Sequence, residues 1–169
     1  MTEDHARIGF GGGCHWCTEA VFQALRGVTC VEQGFIRSEP PFDGWSEAVI
    51  VTFEPTLIGL ATLTEVHLRT HASTSAHSMR GKYRSAVYAF DSAQMRLAHG
   101  LIEGFQPEFG GALVTQVLPF VAFKPSDARF HDYYASDPGR PFCQAYIDPK
   151  LAVLRRDFAA HITAPAQSP

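Results

Sequence analysis

The chain has 169 residues, 46% of them hydrophobic and 18% charged, and a formal net charge of −3, enough for one domain whose core needs no staples. That apolar content excludes disorder for the bulk of the chain, and the mildly acidic balance offers no basic field for nucleic acid or anionic lipid. No apolar run approaches a membrane span, and the acidic opening residues 1–5 carry no secretory signal, so the cytoplasm is the expected location, with no membrane partner.

Residues 6–10 read as a first buried strand, and Gly11, Gly12 and Gly13 as a turn that passes close beside other groups. Residues 14–26 turn helical: Cys17, Val21 and Leu25 share a face, Phe22 stands beside them, and Gly27 stops the helix. Residues 28–36 predict a strand, 38–44 a turn-rich connection, and 47–53 a strong strand ended by Pro55. Leu60, Leu63, Val66 and His67 mark a second helix. Residues 70–80 lack an apolar period and read as an exposed loop, with His71 and His77 clustered near His67. A strand over 83–90, a helix over 92–105 and a strand over 113–123 follow. A short aromatic helix over 125–134, a turn at Asp137-Pro138-Gly139, an extended piece over 143–147 and a helix over 149–161 complete the pattern. Residues 163–169 read as a frayed tail, leaving 1–162 as one catalytic domain. This order predicts an α/β or α+β sandwich: a mixed sheet with a split βαβ unit and a ferredoxin-like core, flanked by helices.

Four cysteines are too sparse for a disulfide framework. A strand, three glycines, Cys14 and a helix place that thiol at a helix N-terminus, where unpaired N–H groups and the helix dipole favour a thiolate. A thiolate is the useful nucleophile. Glu19 opposes it if it lies close. Cys17 is one turn on, on the same side, within reach of Cys14. A dinucleotide loop is a weak match, because Cys14 stands where the last glycine belongs. A zinc site lacks a second ligand pair. Redox chemistry at Cys14 fits best. A thioredoxin-like thiol–disulfide oxidoreductase using Cys14 and Cys17, a non-catalytic zinc- or peptide-binding module, and a pair of inert buried thiols are the alternatives.

The run Gly9-Phe-Gly-Gly-Gly-Cys-His-Trp-Cys-Thr-Glu-Ala-Val-Phe22 resembles the signature of the methionine sulfoxide reductase A family. That signature is Gly-Cys-Phe-Trp, often continued as Cys-Thr-Glu-Ala-Val-Phe. The likeness runs in register to Phe158, through Ser46-Glu47-Ala48-Val49, Lys82-Tyr83-Arg84-Ser85-Ala86-Val87-Tyr88, Asp132-Tyr133, Asp137-Pro138, Phe142-Cys143-Gln144 and Asp148-Pro149-Lys150. The resemblance implies reduction of the S-epimer of methionine sulfoxide, free or in proteins; a monomer without cofactor or metal is the expectation beside it. A thioredoxin-like protein is the implied reductant.

Cys14 would then attack the sulfoxide sulfur while a nearby acid protonates the departing oxygen. Glu47 is the implied acid; it shares a strand face with Val49, Val51 and Phe53, an apolar setting in which a carboxyl group keeps its proton. Tyr83, on the face of Ser85, Val87 and Ala89, offers a hydroxyl to the oxygen, and Trp16 and Phe35 offer an apolar wall for the methyl group. The sulfenic acid left on Cys14 condenses with a second thiol, Cys17 or Cys143; Cys143 matches a resolving cysteine of many family members. Cys30 reads as an inert core thiol. The chain departs from the family in four places. Gly34-Phe35 replaces Gly-Tyr, Ser78 stands nearest the place of an Asp, the 34–47 connection is compact, and His15 replaces Phe. As an imidazolium, His15 would favour the neighbouring thiolate.

Overall fold

Ile8 and Phe10 alternate with Gly9 along the first strand, β1 (Ala6–Gly11), so the pleat turns both large side chains into the core, where neither is exposed. The computed structural model describes residues 5–163, so the expected tail lies outside the described residues except for Thr163. Helix α1 (His15–Gln23) follows the glycine turn and buries Val21 and Phe22. Then come β2 (Val28–Arg37), β3 (Ser46–Phe53), α2 (Leu60–Thr70), β4 (Ala86–Ala89), α3 (Ser92–Phe105), β5 (Gln116–Pro119) and β6 (Ala122–Pro125). The C-terminal part adds a short α4 (Tyr133–Ser136), a π-type turn over Cys143–Ile147 and α5 (Asp148–Asp157).

The six strands lie in the order β5-β4-β1-β3-β2-β6. β3 sits between β1 and β2 and runs antiparallel to both, which makes β1-α1-β2 the expected split βαβ unit. β4 pairs antiparallel with β1 and completes the ferredoxin-like core. On one face Phe10 stacks on Phe22 with ring centres 4.7 Å apart, and Val49, Val51 and Val87 pack against α1, α2 and α5. On the other, Ile36, Ile50, Tyr88 and Leu118 meet Phe42, Phe90, Phe120 and Phe123.

Three expected elements change. The strand expected over 113–123 is two strands on opposite edges: Phe120 N–H donates to Ala89 O at 2.8 Å and Val121 N–H to Arg37 O at 3.1 Å. The bend after Pro119 therefore crosses from the end of β4 to the end of β2, and the sheet curls. Tyr83 precedes β4 instead of opening it; its N–H donates to Met79 O at 3.0 Å, off the 3-10 turn Ser78–Gly81. The piece expected to be extended over 143–147 is helical and runs into α5, with Pro149 in that helix's first turn.

β2 and β6 approach so closely that a Cβ on Gly34 would stand 2.2 Å from Lys124 O and 2.7 Å from the Phe123 ring. Gly34→Ala is therefore expected to lift β6 from β2, at a cost of about 1–3 kcal/mol. A lower urea midpoint, with faster amide exchange confined to β6, checks this; an unchanged midpoint contradicts it.

Candidate active site

The site is assembled where β1 ends, α1 begins and β3 begins. Cys14 caps α1, and its carbonyl accepts from Cys17 N at 3.1 Å and Thr18 N at 3.2 Å, so the first helical turn closes directly on the cysteine. No acidic side chain stands in that turn. The Cys17 thiol donates to the Cys14 sulfur and the N–H groups of Trp16 and Cys17 add to it; together they hold the Cys14 thiol below its ordinary pKa, against burial and the charge of Glu47. The same contact, with burial, pushes Cys17 upward, while the Lys150 ammonium behind it acts in the opposite sense. Cys143, within electrostatic reach of Cys17, is wholly buried and rests its sulfur on Asp137 O at 3.6 Å.

Glu47 is 6% exposed and shares its face with Val49 and Val51, as its strand position predicts. Its Oε1 accepts from His15 N at 3.2 Å, and Lys82 Nζ lies 3.6 Å from its Oε2. Lys82 also stands 5.0 Å from the Tyr83 ring centre, and Tyr83 and Glu47 both strengthen its hold on its proton. Tyr83 is joined to Glu47 through this ammonium. Neither residue's sequence context singled out Lys82; it was one letter of a longer match.

His15 behaves differently from expectation. Its ring is buried, with Nδ1 2.7 Å from Gly34 O and Nε2 3.4 Å from Glu47 Oε1. A carbonyl only accepts, so Nδ1 carries the hydrogen and Nε2 presents its lone pair to Glu47. Burial lowers the ring's pKa. A neutral imidazole facing the acid replaces the expected imidazolium beside the sulfur. Phe35 meets that ring edge-on at 5.2 Å. Trp16 turns toward the C-terminal segment and stacks on Tyr133 at 4.3 Å, with Phe130 and Phe142 closing around it. Tyr133 and Phe142 are therefore wall residues that sequence reasoning missed.

Other expectations fall away from the site. Glu19 does not oppose the thiolate: its carboxylate accepts from Asp132 N at 3.1 Å and Tyr133 N at 3.2 Å. Ser78 is exposed at the start of its turn. Cys30 is exposed and not core, because a register shift between Val28 and Cys30 turns the start of β2 outward. Among the described residues no group of three or more His, Cys, Asp and Glu is arranged to hold a metal, and no helix is long and apolar enough to cross a membrane.

The glycine turn is held from beneath. His67 Nε2 donates to Gly11 O at 2.7 Å, and Arg80 Nη1 donates to Gly12 O at 3.0 Å and to Tyr83 O at 2.9 Å. Arg80 also bonds Ser75 O and Ala72 O. Its guanidinium thereby ties the turn before Cys14 to the backbone of Tyr83. The ring of His71 lies 2.5 Å from where a Cβ on Gly12 would stand, which is why that position has no side chain. His67, in α2, and His71, in the turn that follows it, are therefore packed beneath the glycine turn and not exposed on a loop; His77 is exposed.

Residues 6–162 match the family model described as peptide methionine sulfoxide reductase. The chain is 37% identical to the peptide methionine sulfoxide reductase MsrA of Deinococcus radiodurans over 87% of its own length and 79% of the relative's. The reduced form of Mxr1 from Saccharomyces cerevisiae superposes with a TM-score of 0.74 at 21% identity, covering 86% of this chain and 93% of that one. The same yeast protein solved in complex with Trx2 superposes with a TM-score of 0.62 at 23% identity, covering 79% and 87%.

Two measurements follow from the site. Removing the thiol donor in Cys17→Ala is expected to raise the midpoint of Cys14 alkylation by iodoacetamide; no shift would mean that Cys17 does not hold the thiolate. Burial also pushes His67 down to about 4 from an ordinary 6.5. The unfolded chain then binds the extra proton first, so stability is full above pH 6.5 and falls as pH drops toward 4, by about 3 kcal/mol. Urea unfolding at both ends of that window should show this loss for the native chain and a smaller one for His67→Gln.

Proposed function

This chain belongs to the peptide methionine sulfoxide reductase family and is an oxidoreductase acting on methionine sulfoxide; we propose that Cys14 performs the reduction as a thiolate nucleophile with Glu47 as its acid. The observation that carries this reading is one junction: a depressed thiol at the start of α1 whose next residue donates its N–H to a buried carboxyl group on β3.

In the proposed reaction the Cys14 sulfur attacks the sulfoxide sulfur of the S-epimer. The sulfur–oxygen bond breaks as Glu47 delivers a proton to the oxygen, which passes to Cys14. Methionine leaves, reduced by two electrons, and Cys14, oxidised by two, becomes a sulfenic acid. Tyr83, with Lys82 beside it, donates to the oxygen as charge develops there. Trp16, backed by Tyr133 and Phe142, offers the apolar surface for the methyl group, and Phe35 extends it past His15. Ser78 takes no part in this reading, and His15 acts on Glu47 instead of on substrate.

Cys17 is the first resolving thiol. Its raised pKa comes foremost from the contact with Cys14. When Cys14 is oxidised that thiolate is gone, Lys150 remains, and Cys17 is freed to attack. The new disulfide forms as the sulfenic hydroxyl leaves with the Cys17 proton as water. Cys143, a buried thiol within electrostatic reach of Cys17, is the second candidate. A thioredoxin-like protein reduces the disulfide, a reading supported by the solved complex of the yeast protein with Trx2. All four cysteines are free thiols, which suits work in a reducing compartment.

Incubation with each methionine sulfoxide epimer and dithiothreitol tests the reaction. The S-epimer should yield methionine, Cys14→Ser should yield none, and Glu47→Gln should lower kcat by about 10²–10⁴. Without added thiol, Cys17→Ser should stop after one methionine and accumulate a dimedone-reactive sulfenic acid, whereas Cys143→Ser should still close a disulfide. The reverse result would give the resolving role to Cys143.

A further inference from the structure

Lys124 on β6, Phe35 on β2 and Glu47 on β3 are register partners in adjacent strands, so their side chains stand in one row on one face of the sheet. Lys124 Nζ lies 5.2 Å from the Phe35 ring centre and 5.3 Å from that of Trp45, and the Arg37 guanidinium is 5.4 Å from Trp45. Phe35 meets His15, the neighbour of Cys14. An aromatic floor therefore runs outward from the reacting groups, with Trp45 40% exposed at its far end.

The rim of that floor is basic. Lys82 flanks Glu47 on one side, and Arg37 and Lys124 stand over the aromatic rings on the other. Among the described residues neither Arg37 nor Lys124 has an ion-pair partner, and the acids of the intervening loop, Glu39 and Asp43, lie beyond ion-pair distance of both. Elsewhere Arg7, Arg69, Arg129, Arg140 and Arg156 are each matched by a carboxylate. In a chain of net charge −3, two exposed cations left without acids beside the site leave a local field that favours an anion.

We propose that this rim selects methionine sulfoxide flanked by acidic side chains in a polypeptide: Asp or Glu next to the oxidised methionine pairs with Lys124 and Arg37 while the neighbouring segment lies on Trp45. The inference rests on reduction at Cys14. Rim charges act on encounter and binding and do not touch the reacting atoms, so the selection falls on KM. It is screened by salt, because both cations are exposed.

Three peptides of one length, with the central methionine sulfoxide flanked by Glu, Gln or Lys, test this with the full chain and a dithiol reductant. At low salt the Glu-flanked peptide should exceed the Lys-flanked one in kcat/KM by about tenfold, through KM, and the ratio should approach one in about 0.5 M NaCl. The double variant Arg37→Glu with Lys124→Glu should invert the ratio, and Lys124→Gln should halve its logarithm; each ratio is taken within one variant, so loss of folded protein cannot mimic it. Equal kcat/KM for the Glu and Lys peptides while the Gln peptide is reduced overturns the rim alone. Faster reduction of free methionine sulfoxide than of the Glu peptide also overturns it, since the rim would then serve an amino-acid carboxylate. Failure to reduce any of the three overturns reduction at Cys14.

Discussion

A buried backbone carbonyl must find a donor, and the turn that delivers Cys14 has two of them. Gly11 and Gly12 carry their carbonyls under the start of α1, away from any strand partner that could satisfy both. His67 and Arg80 satisfy them from α2 and from the turn before β4. An unmade bond there would cost about 1–3 kcal/mol, which is comparable with the whole effect of a core substitution. This requirement ties together the nucleophile's turn, the second helix and the backbone of Tyr83, so the reacting groups are located by one set of polar contacts and not by the sheet alone.

Electrostatics inside the site follow from burial more than from formal charge. His15 stands beside the sulfur in sequence, yet its ring is committed to Gly34 O and to Glu47. With the hydrogen fixed on Nδ1, the lone pair of Nε2 faces a carboxyl oxygen, an arrangement that is favourable when a proton lies between them and unfavourable when none does. The thiolate is held instead by the Cys17 thiol and by amide N–H groups.

Much of this was legible in the sequence where the physics is local. The short apolar run over 6–10 and the alternation along 47–53 placed β1 and β3 and put Glu47 on the core face, and three glycines before Cys14 marked the helix start. The segment 113–123 misled because its apolar run is nearly continuous: the bend after Pro119 depends on Ala89 O and Arg37 O, carbonyls far away in the chain. Cys143 read as extended because the π-type turn there is stabilised by its packing, with Cys143 and Ile147 both buried. Arg80 and His67 carried no local signal of their task, since their partners are backbone atoms more than fifty residues away. The one clue available was that glycine carbonyls passing through an interior need donors.

The curl of the sheet has a bearing on the company this protein keeps. Its two edge strands, Gln116–Pro119 and Ala122–Pro125, are only four residues each and both end in proline. β6 also carries the lysine of the basic rim. Short edges, prolines and a charge are the features that stop a foreign strand from adding to a sheet. Long, flat edges would be a template for the aggregation of any chain with unpaired strands that met them, and this sheet presents almost nothing to zip onto.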